Sequence, residues 1–496
     1  MSARATRLST LTHRDADWAG LRVVVTGLGV SGFAAADALL EHGAQVHVVD
    51  ATTPEPESLL AQRAQILEVL GARLLLGDGV AGSLPVPAEE IDLVVTSPGW
   101  PPHQPLLAEA AAAGIPIWGD VELAWRMRPT EGAAPWLLVT GTNGKTTTVQ
   151  MLASMLRAAG LRAASAGNVG TPVIELVQDP EPYDVIAVEL SSFQLHWSHS
   201  LAPRAAACLN IAPDHVDWHG SLAEYTRAKG KVYERTEIAC VYNEADPVTR
   251  RLVEEADVTE GCRAIGFTLG VPDLSMFGLV EDVLADRAFV QDREHQAAEL
   301  ASFADLVGEE ATPPPHLVAN ALAAAALARA HGVPPVAVRE GLRAWQPEPH
   351  RIAEVAADGG VRWIDDSKAT NPHAARASLV AHEHVVWVAG GLLKGADVEE
   401  LVETAAPRLR AAVLLGRDRE QIAAALARHA PDVPVIDVAT TDTGAMDLVV
   451  RHAASQAQPG DVVLLAPAAA SMDMFENYGA RGDAFASAVA RYLQEE

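Results

Sequence analysis

The chain has 496 residues, of which 49% are hydrophobic and 21% are charged, and its formal net charge at pH 7 is −28. This length exceeds what one hydrophobic core normally serves, so about three domains are expected. A strongly acidic chain lacks the basic face that sequence-independent nucleic-acid binding requires, so no nucleic-acid partner is predicted. Three cysteines without CxxC spacing indicate neither a disulfide framework nor a zinc site.

The hydropathy pattern also bears on the cellular location. The N-terminal sequence has no apolar signal segment, and no stretch approaches the roughly 18 uninterrupted apolar residues of a membrane span. We therefore expect a cytoplasmic protein that does not insert into a membrane, and we expect a monomer.

Residues 1–119 alternate apolar runs with helical segments, which predicts βαβ units and a Rossmann-like parallel sheet. A glycine turn, Gly27-Leu-Gly-Val-Ser-Gly32, follows the first run, and Asp50 ends the second. Such glycines let the backbone approach a pyrophosphate, and the acid can bind a ribose or base. The alternative is a turn that needs glycine only for close packing. The motif alone does not distinguish NAD, FAD or another nucleotide.

Residues 120–349 are predicted to form a second α/β domain around the loop Gly141-Thr-Asn-Gly-Lys-Thr-Thr147. The loop departs from the full Walker A pattern, because Val139 stands at the first glycine position. Its backbone amides would still cradle phosphates, while Lys145 would neutralise the β and γ oxygens and Thr146 would bind Mg²⁺. The alternative is a structural glycine turn that carries Gly-Lys-Thr by chance.

Two further segments of this domain predict metal ligands. An apolar run ends at Glu189, which would lie beside a phosphate-bound metal; the alternative is an acid that faces the surface. His215 stands between Asp214 and Asp217 after another apolar run, at the strand edge where α/β active sites gather. A lone histidine is more often structural, but the two flanking acids favour a Mg²⁺ site.

The remaining regions carry fewer signals. An alanine-rich helix is expected from about residue 316 to residue 331, and residues 350–496 form a third α/β series. Residues 270–312 show no clean period and are assigned no structure. Residues 195–199 are interpreted as a solvated turn without a function.

Together the motifs resemble those of the Mur ligase family, over essentially the whole stretch from Val23 to Arg491. They are the loop at 141–147, Gly167-Asn168, Glu189-Leu-Ser-Ser-Phe-Gln194, Leu209-Asn210, Asp214-His215, Tyr225-Thr-Arg-Ala-Lys229, Asn320, His350-Arg351, Asp365-Asp-Ser-Lys-Ala-Thr-Asn371 and Ala466-Pro-Ala-Ala-Ala-Ser-Met-Asp-Met-Phe475. The resemblance implies an α/β chain of three domains: a Rossmann-like nucleotide-sugar domain (1–119), a P-loop ATPase domain (120–349) and a Rossmann-like domain for the amino acid and ATP (350–496).

The resemblance also implies a reaction. ATP would phosphorylate a carboxylate, and an amine would attack the acyl phosphate to give an amide, ADP and phosphate. Within the family, residues 365–371 and the segment that begins at Ser471 resemble the members that add D-glutamate to UDP-N-acetylmuramoyl-L-alanine. Such members serve peptidoglycan precursor synthesis, and with it cell wall biogenesis, cell shape and cell division.

The resemblance assigns roles residue by residue. The catalytic residues would be Lys145, Glu189, His215 and Lys229, and Lys229 would be carbamylated. The ligands of two Mg²⁺ ions would be Thr146, Glu189, His215 and Lys229. ATP would be bound by Gly141, Thr142, Asn143, Gly144, Lys145, Thr146, Thr147, Asn320, Arg351 and Asp366. The other substrates would be bound by Val30, Ser31, Asp50, Ser97, Asn168, Ser191, Lys368, Thr370, Lys394, Ser471 and Tyr478.

Several alternatives stay open at this stage. Lys229 and Lys394 could be ordinary surface lysines, and Ala51-Thr52 depart from the family pattern near the expected uracil site. A sister ligase would add another amino acid, an oxidoreductase would use the first glycine turn for NAD, and an ATP-sensing regulator would bind ATP without turnover. Phosphate release with different amino acids distinguishes these hypotheses.

Overall fold

The computed structural model describes residues 3–308, 312–347, 349–440 and 444–495. It divides into two compact units, Met1–Ile211 with Trp218–Trp345, and Ala212–Asp217 with Gln346–Glu496. Three separate sheets with flanking helices confirm the predicted α/β class. The domain boundaries after residues 119 and 349 stay predictions, because the first two sheets share one compact unit.

The first sheet is parallel and, in the described part of the chain, has the strand order β3-β2-β1-β4-β5. The chain crosses over between β3 and β4, so the carboxyl ends of β1 and β4 form the crevice in which such sheets bind ligands. The strands are β1 (Arg22–Thr26), β2 (Gln45–Asp50), β3 (Arg73–Leu76), β4 (Leu93–Thr96) and β5 (Ile117–Gly119), and the helices are α1 (Ala3–Thr10), α2 (Val30–Glu41), α3 (Leu59–Val69), α4 (Pro105–Ala112) and α5 (Asp120–Arg126).

The second sheet has the order β14-β13-β12-β11-β10-β9-β6-β8-β7 among the described residues. Its strands are β6 (Trp136–Thr140), β7 (Ala163–Gly167), β8 (Val185–Glu189), β9 (Ala205–Cys208), β10 (Ala239–Asn243), β11 (Arg263–Phe267), β12 (Met276–Val280), β13 (Val283–Asp286) and β14 (Ala298–Ser302). Its helices are α6 (Lys145–Ala158), α7 (Val173–Gln178), α8 (Ser192–His196), α9 (Val216–His219), α10 (Leu222–Gly230), α11 (Pro247–Glu254), α12 (Phe303–Val307), α13 (Pro315–Ala330) and α14 (Pro335–Ala344). The expected alanine-rich helix is confirmed as α13, which is buried on nearly every side from Val318 onward.

The third sheet lies in the second unit and has the order β15-β16-β20-β17-β18-β19, as far as the chain is described. Its strands are β15 (Ala353–Asp358), β16 (Val361–Asp365), β17 (Val385–Gly390), β18 (Leu409–Leu415), β19 (Val435–Asp437) and β20 (Val462–Leu465), and its helices are α15 (Pro372–Leu379), α16 (Glu399–Ala405), α17 (Arg419–His429), α18 (Ala445–Gln456) and α19 (Tyr478–Glu495). Apart from the antiparallel edge strand β15, the strands run parallel.

Two sequence interpretations are incomplete or wrong. Residues 270–312 received no structure, yet they form strands β12 to β14 and helix α12; residues 309–311 lie outside the described part. The interpretation of residues 195–199 as a solvated turn is wrong, because Leu195, Trp197 and Ser198 are buried. The two extra β-hairpins escape a periodicity test because they are short and lie at a sheet edge. Among the described residues, no helix is long and apolar enough to cross a membrane.

Candidate active site in the first unit and amino-acid site in the second

The phosphate-binding loop runs between β6 and α6, as predicted. Gly141 has φ +151° and Gly144, which precedes the first residue of α6, has φ +86°. A Cβ atom at Gly144 would lie 2.3 Å from Oδ1 of Asn320, which is itself buried on α13. Only glycine combines this left-handed backbone with so close a neighbour. The predicted ATP contacts Gly144 and Asn320 are therefore adjacent.

A second asparagine holds the loop from the end of β9. Asn143 donates its backbone N–H to Oδ1 of Asn210 at 2.8 Å, and Nδ2 of Asn210 donates back to the carbonyl of Asn143 at 3.1 Å. The backbone N–H of Thr142 also donates to the carbonyl of Asn210, at 2.9 Å. Asn210 received no role from the sequence, although it directly follows the apolar run that ends at Leu209.

Two lysines converge on one carbonyl of the loop. Nζ of Lys145 donates to the carbonyls of Gly141 and Thr142, at 3.0 Å each. Nζ of Lys229, which is buried, donates to the Gly141 carbonyl at 2.9 Å and lies 3.3 Å from Oγ1 of Thr140. The alternative of an exposed helical Lys229 is wrong. Positive charge is thus concentrated on the loop that should hold phosphates.

Tyr225 connects helix α10 with the same loop. Its hydroxyl lies 2.8 Å from Oγ1 of Thr142, and its buried ring lies 4.9 Å from Nζ of Lys229. Tyr225 and Lys229 are four residues apart, so both project from one face of α10. Tyr225 belongs to the motif that ends at Lys229 but has no role predicted from the sequence; its spacing of four residues to Lys229 is the signal that could have indicated one.

The predicted metal ligand Glu189 ends β8, next to β6. Its side chain is buried, and Oε1 accepts a hydrogen bond of 3.0 Å from Nδ2 of Asn168. β8 pairs with β6 so that Glu189 stands opposite Val139, two residues before Gly141. The oxygens of Glu189 and of the buried Thr146 hydroxyl are the ligand type that Mg²⁺ prefers. The described residues contain no group of three or more His, Cys, Asp and Glu side chains arranged to hold a metal.

Two predicted substrate-binding serines lie near one buried carboxylate. Ser191 caps α8 and shares a capping box with Gln194, whose Nε2 lies 3.4 Å from Oδ2 of Asp120. Burial raises the pKa of Asp120, and hydrogen bonds from Gln194 and Ser31 oppose that rise. Because Ser31 follows β1 and Ser191 follows β8, Asp120 ties the glycine turn of the first sheet to the second sheet. Sequence reasoning missed Asp120.

The glycine turn of the first sheet is tightly packed. A Cβ atom at Gly27 would lie 2.6 Å from Oγ of Ser97, a buried hydroxyl without a hydrogen-bond partner among the described residues. Asp50 accepts hydrogen bonds from the backbone N–H groups of Leu28 (2.7 Å) and Thr52 (2.8 Å), so its carboxylate orders the turn. An orphaned hydroxyl at the crevice fits a polar ligand group. The predicted contact Val30 is half-exposed at the start of α2.

His215 belongs to the short segment Ala212–Asp217, which is part of the second unit. Its backbone has φ +50°, and its N–H donates to Oδ1 of Asp214 at 2.9 Å. Nε2 of the ring lies 3.5 Å from Oδ2 of the same carboxylate. His215 is therefore oriented by Asp214, one of the two acids that suggested a metal site.

A buried arginine organises the predicted amino-acid site of the second unit. Arg481 on α19 donates from Nε to Oγ of Ser367 (2.9 Å) and from Nη2 to the Ser367 carbonyl (2.8 Å), and Nη1 donates to the Ala469 carbonyl (3.0 Å). Burial lowers the pKa of Arg481 to about 10. No sequence motif indicates this residue, which joins the loops before Lys368 and Ser471.

Lys368 and Tyr478 are in direct contact. Nζ of Lys368 lies 3.8 Å from the ring centroid of Tyr478, whose carbonyl accepts a 2.8 Å hydrogen bond from Oγ of Ser367. Thr370 donates its backbone N–H to the Lys368 carbonyl at 2.8 Å. The structure thus brings together these three predicted substrate contacts.

The remaining predicted residues of this site lie on neighbouring loops. Leu392 and Ala470 form an antiparallel bridge, which aligns the segments that lead to Lys394 and Ser471. Ser471 is buried, whereas Lys394 is exposed with φ +52°. The exposure of Lys394 leaves the surface-lysine alternative open.

Asp366 is a buried acid with an unusual proton affinity. Burial raises its pKa to about 6, while the hydroxyl of Ser378, which donates to it, and the charge of Arg351 oppose the rise. Oδ2 of the neighbouring Asp365 lies 2.6 Å from Nδ1 of His350. The predicted ATP residues Arg351 and Asp366 are thus electrostatically coupled.

Comparison with known proteins identifies the family. The MurD-like N-terminal domain of Mur ligases matches residues 21–119, the Mur ligase middle domain matches residues 139–328, and the Mur ligase glutamate ligase domain matches residues 350–469. The chain belongs to the Mur ligase family. This confirms both the resemblance read from the motifs and the prediction of an ATP-dependent ligase of three domains.

Relatives of this Mur ligase match 95% of its length. The UDP-N-acetylmuramoylalanine–D-glutamate ligase of Streptomyces avermitilis is 60% identical over 473 residues, which cover 95% of this chain and 98% of the relative. The ligases of the same name from Thermobifida fusca and Mycolicibacterium smegmatis are 58% and 46% identical, each over 95% of this chain and 98% and 96% of their own lengths.

Solved structures of other family members share the fold. A pseudomurein peptide ligase type C from Methanothermus fervidus has a TM-score of 0.55 at 17% identity, covering 95% of this chain and 100% of its own. The UDP-N-acetylmuramate-alanine ligase MurC from Thermotoga maritima has a TM-score of 0.55 at 19% identity, covering 96% and 100%. At such identities the likeness bears on the fold alone.

Proposed function

We propose that this Mur ligase joins D-glutamate to UDP-N-acetylmuramoyl-L-alanine and converts ATP to ADP and phosphate in the same reaction, in peptidoglycan precursor synthesis. The observation that carries the proposal is the identity of 46% to 60% with ligases of this name, over at least 95% of the chain. The free carboxylate of the L-alanyl group would become an acyl phosphate, and the amine of D-glutamate would displace phosphate from it. The phosphate-loop geometry is consistent with the first of these steps.

The residues of the loop act mainly by positioning and by neutralising charge. Asn210 and Tyr225 fix the loop from two sides, which preorganises its backbone N–H groups for phosphate oxygens. Lys145 would exchange its two carbonyl acceptors for oxygens of the transferring phosphoryl group. The neighbouring Asn320 would keep the left-handed turn at Gly144 in place.

Magnesium dependence is typical of this family, and the donor set fits it. Thr146 and Glu189 would hold the ion, because both offer buried oxygen atoms beside the loop and Asn168 orients the Glu189 carboxylate. A bound Mg²⁺ would neutralise negative charge on phosphate oxygens. A second ion held with the help of His215 is part of the proposal.

Carbamylation of Lys229 would change the charge beside the loop. Nζ would first lose one proton, and the neutral amine would then attack CO₂ and lose a second proton, so a cation becomes a carbamate anion whose oxygens can bind a metal. The buried position of Nζ, 2.9 Å from the Gly141 carbonyl, supports a role inside the site. A Lys229→Ala variant should lose turnover and regain part of it with acetate or formate. Full activity of the variant without added carboxylate would contradict the proposal.

D-glutamate carries two carboxylates, which need cationic and hydroxyl partners. In the second unit, Lys368, Thr370 and Ser471 would supply them, with Lys394 as a further cation. Arg481 supports this role indirectly, because it fastens the loop of Lys368 to the segment before Ser471.

Arg351 and Asp366 stay predicted ATP contacts. The cytoplasmic location and the monomeric state of the protein also stay predictions.

One assay tests the substrate assignment. Phosphate release would be followed with UDP-N-acetylmuramoyl-L-alanine and ATP while D-glutamate, L-alanine, L-lysine or diaminopimelate is offered in turn. We expect release with D-glutamate only; release with another amino acid would identify a sister ligase. Binding of NAD without any phosphate release would favour an oxidoreductase, and ATP binding without turnover would favour a regulator.

The substitution Lys145→Ala should abolish phosphate release. Substantial remaining activity would refute the phosphate-binding role of Lys145.

A further inference from the structure

A cavity in the first unit lies at the amino ends of strands β6 and β8, opposite the strand ends that lead to the phosphate loop. It is open to solvent, contains about 290 Å³ of empty space, and is lined by residues at the amino ends of β6 and β8, among them Trp136, Tyr183 and Ile186. The phosphate loop follows the carboxyl end of β6 at Thr140, roughly 13 Å away along a five-residue strand. The cavity is therefore separate from the active site.

Two arginines line this cavity, and neither has a carboxylate within salt-bridge distance among the described residues. Nη2 of Arg14 donates to the carbonyl of Val177 at 2.7 Å, but its Nε is buried without an acceptor in the part of the chain that the structure describes. Arg128 donates from Nε to the carbonyl of Trp125 at 2.9 Å. Two guanidinium groups that form no salt bridge among the described residues are unexpected in a chain of net charge −28; the charge of Glu237 acts on Arg128 only from beyond salt-bridge distance. Their charges are available to an external anion.

The walls of the cavity offer further evidence. Trp136 is 1% exposed, and its indole Nε1 has no hydrogen-bond acceptor in the described part of the chain. The acid Asp179 also lines the cavity, but its carboxylate is engaged by Nη2 of Arg162 at 3.1 Å and by the N–H of Glu181 at 2.8 Å. Buried N–H donors without acceptors are costly, and a ligand oxygen would remove that cost.

The environment of Arg128 makes it a strong hydrogen-bond donor to an anion. Its guanidinium lies 3.1 Å from the ring centroid of Trp125, and burial lowers the pKa of Arg128 to about 10. A cation that has lost much of its hydration gains more from a nearby anion than an exposed one does. The apolar residues Leu176 and Pro182 line the same space.

We propose that this cavity is a binding site for a small oxyanion, a phosphate or a carboxylate group, held by Arg14 and Arg128 with the indole N–H of Trp136 as a third donor. Arg14 comes from the N-terminal segment, Arg128 follows α5 of the first sheet, and Trp136 begins the second sheet. An oxyanion bound there fastens these three segments to one another. This inference is independent of the proposed ligase activity.

Calorimetric titration of the full chain with inorganic phosphate tests the site. A saturating non-hydrolysable ATP analogue and Mg²⁺ occupy the phosphate loop, so that the loop does not contribute. We expect the wild type to bind phosphate or acetate, and Arg14→Gln and Arg128→Gln to bind it at least about tenfold more weakly. Arg250→Gln removes one exposed charge elsewhere and should bind like the wild type.

Each result has one meaning. Binding of phosphate alone assigns the site to phosphate groups, and binding of acetate alone assigns it to carboxylates. Equal binding by wild type and Arg14→Gln would overturn the proposal, as would binding of chloride as tight as that of phosphate, or no binding of either oxyanion. If Arg128→Gln does not fold, the oxyanion affinity of Arg14→Gln, a variant at a half-exposed residue, tests the proposal by itself. Amide-bond formation, measured separately, does not depend on the outcome.

Discussion

The buried acid Asp366 makes the stability of the second unit depend on pH. Burial raises its pKa from 3.8 to about 6. A carboxyl group with a higher pKa in the folded than in the unfolded chain binds its proton more tightly when folded. The protonated carboxyl group of Asp366 therefore contributes its full stabilisation of the folded unit below pH 3.8. This stabilisation is lost as the pH rises from 3.8 to about 6. Each pKa unit corresponds to about 1.4 kcal/mol, so ionisation of Asp366 costs about 3 kcal/mol above pH 6.

Asp366→Asn removes this ionisation and keeps an oxygen that can accept the hydrogen bond from Ser378. We expect the variant to stabilise the unit by up to about 3 kcal/mol at pH 7.5 and by about half as much at pH 5, where the folded wild type already holds the proton. The conservative geometry of the amide makes repacking small.

Hydrogen exchange measured by mass spectrometry on peptides from residues 361–379 is the suitable assay, because a chain with several cores need not unfold in one step. Variant and wild type are compared at the same pH, so intrinsic exchange rates cancel. Asp432→Asn, at an exposed acid of the same unit, serves as the control. A protection difference that is equal at pH 5 and pH 7.5, or a loss of protection at pH 7.5, would refute the reasoning.

Three further predictions follow from single contacts. Gly144→Ala should destabilise the first unit by about 1–3 kcal/mol more than Gly160→Ala in thermal melts, because both glycines have φ above +80° but only the first would press on Asn320. Tyr225→Phe should raise the KM for ATP about fivefold in steady-state kinetics, since a neutral hydrogen bond to the loop contributes about 1 kcal/mol. Arg481→Gln should destabilise the second unit by about 3 kcal/mol or more in urea titrations, since it leaves buried acceptors without donors; an unchanged midpoint would contradict the last prediction.

Some of the site could be read from the sequence because its chemistry is local. A glycine loop between a strand and a helix binds phosphates through its own backbone, so residues 141–147 carry their function in consecutive positions. The apolar run before Glu189 has the length of an ordinary strand, and it correctly predicts that Glu189 ends a strand. The α/β class followed in the same way, from apolar runs that alternate with helical periods.

The tertiary structure decided which distant residues support that loop and the amino-acid site. Asn210 and Tyr225 hold the loop across 67 and 83 residues of sequence, and Arg481 reaches Ser367 across 114. Asp120 and the buried residues Leu195, Trp197 and Ser198 likewise gain their neighbours only when the first two sheets pack. A periodic pattern reports which face of an element is apolar, but a buried hydrogen bond between distant segments exists only in the folded chain, where desolvation makes each unpaired polar group costly.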